Sequence, residues 1–147
     1  MPTKSFRGKI ANGGIETIPL HTTNGSTGYK ITRFQTLPTD NYGTQNHELL
    51  FKIYKIPQST ANDEVDFSDQ TLLGVSYTAI TTSASYVEHI VFDNEVFNQD
   101  IYITMVDGSG NGYPGNFYIE LETMTLGLDQ NTVATLKDIR NIEGKIV

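Results

Sequence analysis

Residues 92–122 read FDNEVFNQDIYITMVDGSGNGYPGNFYIELE, and this stretch decides the fold. Within residues 99–106 apolar side chains recur at every second position, Ile101, Ile103 and Met105, and the same period returns over 116–126 in Phe117, Ile119 and Leu121. A period of two marks a strand with one buried face. The opposite faces carry Tyr102 and Thr104, then Tyr118, Glu120 and Glu122, so one side of the pair is expected to be wet or to meet a partner. The glycine-rich run 107–115 lies between them, and the spacing predicts a hairpin with a long tip.

Working outward, the same alternation marks strands at 5–10, 16–20, 29–37, 48–56, 72–79 and 86–93, about eight in all. Asn12-Gly13 supplies positive φ cheaply and predicts a hairpin between the first two. Residues 48–56 are apolar on both faces, Leu49, Phe51 and Ile53 against Leu50 and Tyr54, which predicts a central strand. Residues 72–79 place Leu73, Val75 and Tyr77 on one face. The long polar connection 57–71 is expected to cross between sheets or to bind something. These features predict an all-β fold, a two-sheet antiparallel sandwich wound as a jelly roll. An immunoglobulin-like arrangement is the alternative, without its Cys and Trp hallmarks.

The tail changes period. Val133, Leu136, Ile139 and Ile142 fall three apart after Asp129, the pattern of a short helix or helical turn that must dock on its own sandwich or on a neighbour. Residues 1–128 are therefore assigned to the sandwich with a basic amino-terminal arm, and 129–147 to a carboxy-terminal arm.

At 147 residues the chain suits one domain with a sizeable core. It has no cysteine, so packing alone must stabilise it and a reducing cytoplasm suits its synthesis. The first residues lack an apolar signal core, and no run approaches the roughly 20 apolar residues of a membrane span, so no membrane partner is expected. Seventeen acids against ten bases leave a net charge of -7, which argues against direct nucleic-acid binding. Lys4, Arg7 and Lys9 gather at the start, and Asp63, Glu64, Asp66 and Asp69 crowd one later stretch. Both patterns fit a solvated surface, and the first also fits a basic arm docking on an acidic neighbour.

No constellation for catalysis is legible. The run beginning Asp107-Gly108-Ser109-Gly110-Asn111-Gly112 resembles the opening of a calcium loop, but Tyr118 stands where the last ligand should be and strands flank it, so a turn-rich tip explains the same letters. Glu120 and Glu122 share a strand face without a cleft. His21, His47 and His89 are scattered, and no serine sits in a nucleophile elbow. Neither a metal nor a cofactor is expected. Tyr42 and Tyr113 lie in Gly-rich loops and, with Asp107 and Asn111, are the expected contacts for a protein or a surface glycan.

Seven strings carry a resemblance: GGIETIPL (13–20), NGSTGYKI (24–31), KIYK (52–55), DFSDQTLLG (66–74), FDNEVFNQDIYIT (92–104), NFYIELE (116–122) and TVATLKDIR (132–140). Together they resemble a family of small virion structural proteins from tailed bacteriophages of marine bacteria. The resemblance implies a non-enzymatic particle component made in the host cytoplasm and carried in the virion. Its expected role is capsid decoration, a cement acting through many copies on the major capsid protein or other virion proteins. A glycan- or receptor-binding fibre module and a neck or tail ring are the alternatives. Lys4, Arg7, Lys9, Val133, Leu136 and Ile139 are the expected docking residues, and a homo-oligomer, three-fold by preference, is the expected state.

Overall fold

The computed structural model describes residues 2–39, 46–81, 84–92 and 95–127. Tyr42 and the Val133, Leu136 and Ile139 tail lie outside these residues, as does the proposed arm 129–147. Eight strands are described: β1 Thr3–Ile10, β2 Ile15–Ile18, β3 Thr27–Pro38, β4 His47–Tyr54, β5 Leu72–Ile80, β6 Ser85–Val91, β7 Ile101–Asp107 and β8 Gly115–Thr125. Each bound falls within two residues of the alternation.

The strands form two antiparallel sheets, one ordered β1-β8-β3 and the other β2-β7-β4-β5-β6. Pairing is nested: β4 with β5, β2 with β7, β1 with β8. That is a folded antiparallel ribbon, the winding of a jelly roll. One rung of the nest is replaced. β6 pairs with β5 and forms no ladder with β3, so the three-stranded sheet ends at β3. Near its start the outer edge of β3 is closed by Phe97, which exchanges both backbone hydrogen bonds with Tyr29 and stacks on its ring at 6.2 Å.

The core lies between the sheets. Ile101, Ile103 and Met105 of β7 face Phe117, Ile119 and Leu121 of β8, and none is more than 3% exposed. β4 sits centrally between β5 and β7, as its two apolar faces require. Gly115 lets β8 approach it, because a Cβ there would lie 2.6 Å from Cζ of Phe51.

Several sequence expectations change. β1 and β2 belong to opposite sheets, and so do β7 and β8, so neither pair is a hairpin. Alternation fixes which face a residue shows but not which strand lies alongside, and a turn can serve a hairpin or a crossing equally well. At the Asn12-Gly13 turn, Gly13 holds φ at +79° and its N–H bonds the carbonyl of Met105, fastening the crossing to β7. The connection 57–71 does not cross between sheets; it joins neighbours β4 and β5. It covers Lys52 on the outer face of β4, whose ammonium donates to Asn62 Oδ1 at 2.8 Å and to the Glu64 carbonyl. Leu73 leaves the face of Val75 and Tyr77 for the main core, because a bulge beside Ile53 and Tyr54 inserts one residue into the register. Lys4, Arg7 and Lys9 are not on an arm: β1 is laddered to β8 from Thr3 opposite Glu122 to Ile10 opposite Gly115.

Candidate functional site

Three features are candidates: the 107–115 loop, the outer face of the three-stranded sheet, and the groove where β3 and β6 fail to pair.

The loop is closed on itself. The Asp107 carboxylate is buried and accepts hydrogen bonds from the backbone of Glu48, Ser109 and Tyr113 and from the Ser109 hydroxyl, at 2.7–3.2 Å. Burial pushes its carboxyl up, but those donors outweigh burial and hold it below the ordinary aspartate value. Tyr113, expected to offer a loose ring, lies on the buried His47 ring with centroids 4.4 Å apart. Asn111 is exposed, and its amide donates to the Asn46 carbonyl at 3.1 Å. Asp107 and Tyr113 thus hold the loop shut rather than present it. Asp107's short side chain reaches two residues along its own turn, a local signal that the sequence carries as readily as a calcium loop does. Among the described residues no three side chains converge as a metal site would need.

The outer face of β1-β8-β3 is cationic. Its middle strand carries Glu120 and Glu122, and the flanking strands surround them with base. Arg33 pairs with Glu120 at 3.6 Å, Lys30 stands opposite Glu122 in register, and Tyr118 donates to Glu120 at 2.8 Å. The two glutamates, which share a strand face in the sequence, find basic neighbours within their own sheet. Arg7 and Lys9 add two exposed cations to this face from the edge strand, while Lys4, opposite Leu121 in register, leaves the same strand on the other side, with its ammonium 6.0 Å from the buried Tyr29 ring. Among the described residues these five are all the cations that reach solvent, since Lys52 and Lys55 are 1% and 3% exposed. Among the described residues, two carboxylates leave this sheet a net charge of +3, and the five-stranded sheet and its loops set ten carboxylates against two lysines, a net charge of -8. The sandwich is polarised from one sheet to the other.

At the unmade rung a polar chain links the sheets. Thr36 of β3 lies 2.6 Å from the Ser76 hydroxyl of β5, which lies 2.6 Å from Nδ1 of His89 on β6. Burial lowers His89 below the ordinary histidine value, and Glu88 opposes that only in part. The fold therefore favours neutral His89. Its contribution is complete above the unfolded value of about 6.5 and is lost as pH falls toward the folded one. Thermal melts should show a midpoint falling between pH 7 and 5, and a smaller fall in His89→Gln; equal slopes would remove His89 as the cause.

Beyond this chain lies an open groove of about 830 Å³. Leu37 and Pro38 of β3 form one wall, and Ile80 and Val87 the other, with Arg7 and His89 at its rim. No sequence signal marks it, because it arises from a strand pairing with the wrong neighbour for a closed ribbon.

No family model matches the chain, and no curated protein matches it. A solved structure from the work titled "Bacillus endospore appendages form a novel family of disulfide-linked pili" is similar at 9% identity, covering 86% of this chain and 88% of its own, with a TM-score of 0.39. A likeness that slight carries no statement about function.

Proposed function

We propose that this chain is a structural component of a phage particle, a decoration protein that cements the shell by docking in many copies through its cationic sheet. The observation that carries the reading is the gathering of every solvent-facing cation of the described residues on one sheet. A flat, cation-rimmed face favours an acidic protein surface, and weak contacts repeated over a lattice add up to firm attachment. The resemblance to marine phage virion proteins supports the same role, and so does a fold that rests on packing alone, since the chain has no cysteine.

Two measurements test it. A reconstruction of the intact particle should show hundreds of copies on the shell, whereas a single ring at the neck or tail would overturn decoration. Lys9→Glu with Lys30→Gln should leave the melting point within a few degrees, because neither side chain is buried and surface substitutions change stability by about 0.5 kcal/mol or less. The same pair should abolish salt-sensitive rebinding to particles stripped of the protein. Undiminished rebinding would show that the cationic sheet is not the docking face.

A further inference from the structure

The unmade β3–β6 rung leaves an apolar groove lined by Arg7, and the outer face of the larger sheet carries a part that fits it. The loop joining β4 to β5 projects Val65 and Phe67, 41% and 56% exposed, among Asp63, Glu64, Asp66 and Asp69. Six large apolar side chains are exposed among the described residues, and four of them are Val65 and Phe67 on this loop and Leu37 and Val87 in the groove. The two patches share no residue and lie on different faces.

We infer that the groove receives the 63–69 loop of a second copy. Phe67 and Val65 enter between Leu37 and Val87, and the loop carboxylates come to rest near Arg7. Three observations favour this occupant. The charges are complementary: four acids sit on the loop, and Arg7 lines the groove with Lys9 two residues along the same strand face. The loop is already shaped before it meets a partner: Asp66 Oδ1 accepts from the backbone and hydroxyl of Ser68 at 2.9 and 2.6 Å, Asp69 Oδ1 does the same for Thr71, and Lys52 fastens Glu64 from below. Little conformational entropy is then lost on docking. Phe67 stands edge-on to Phe92 at 5.4 Å, which fixes where it points.

Such a contact joins unlike surfaces, so each copy retains a vacant loop and a vacant groove. It builds rings or open rows rather than closed two-fold pairs. The inference deepens the shell-binding reading by supplying the lateral contact between neighbouring copies.

Sedimentation of the full chain tests it. The wild type should associate with rising concentration, less so at about 0.5 M salt than at about 30 mM, because the charges are exposed. Phe67→Ser and Val87→Asp should each weaken association by about 30-fold or more, the loss expected of a central apolar contact. Mixed in equal amounts, the two variants should form two-chain complexes and nothing larger, since one intact loop meets one intact groove. Leu37→Ser repeats the groove test should Val87→Asp disturb the fold, which circular dichroism would reveal. A monomeric wild type, variants that assemble as it does, or variants that stay apart when mixed would each overturn the contact. A chain monomeric in solution that still covers the shell would leave decoration standing, and a self-associating chain missing from the shell would do the reverse.

Discussion

Replacing Phe51 by alanine should remove about 3–5 kcal/mol, a large share of the 5–15 kcal/mol that holds a domain of this kind. Phe51 is fully buried at the centre of the middle strand of the larger sheet. Its ring meets Phe34 of the facing sheet edge-on, with centroids 6.3 Å apart. Truncation opens a cavity between the two sheets, where neither backbone can close in without breaking its ladder. Urea denaturation should show the midpoint falling while the slope stays constant. Gly115 sharpens the test. Gly115→Ala alone should cost about 1–3 kcal/mol by overpacking, because its methyl would stand 2.6 Å from the ring. In the Phe51→Ala background the same methyl enters the vacated space, so its cost should vanish or reverse. Additive costs would show that the two residues do not meet as described.

Asp107→Ala should have the second largest effect, about 3–4 kcal/mol, because it strands the backbone N–H groups of Glu48, Ser109 and Tyr113. Asp107→Asn keeps one acceptor oxygen and should cost about half as much. The sign with pH follows from the lowered carboxyl. The Asp107 contribution is complete above the unfolded value of about 3.8 and disappears as pH falls through the folded value. Acid titration of wild type against Asp107→Asn should therefore show their stabilities converging below about pH 4. A constant gap down to pH 2 would mean that the carboxylate charge contributes nothing. Asp100 is a parallel case on a smaller scale: burial raises its carboxyl, but the His21 and Leu20 donors outweigh it and hold it low.

Both sites show how much the chain announced in advance. The alternation of Ile101, Ile103 and Met105 named core residues correctly, because burial on one side of a pleated strand is written directly into the order of side chains. The two apolar faces of β4 named a central strand for the same reason. Asp107 stands out in the sequence as part of a turn-rich tip, but its bonds are not written there. A short acidic side chain in a glycine-rich turn can bind an ion, meet a partner or cap its own backbone, and which of these happens depends on what Glu48 of β4 brings near it. Tyr113 reads as a residue of a Gly-rich loop, and its ring partner, His47, comes from a strand more than sixty residues away.

The sequence by itself determined the class of fold, the strand positions and the inward faces, since these follow from local periodicity and composition. Only the tertiary structure decided which strands are neighbours. Pairing between distant strands is settled by backbone hydrogen bonds that every residue can make, so no single stretch encodes it. That choice turned two expected hairpins into sheet crossings and β1 from an arm into an edge strand. It gathered the exposed cations of the described residues on one sheet and, by leaving β6 with β5, opened beside β3 the groove on which self-assembly is proposed to depend.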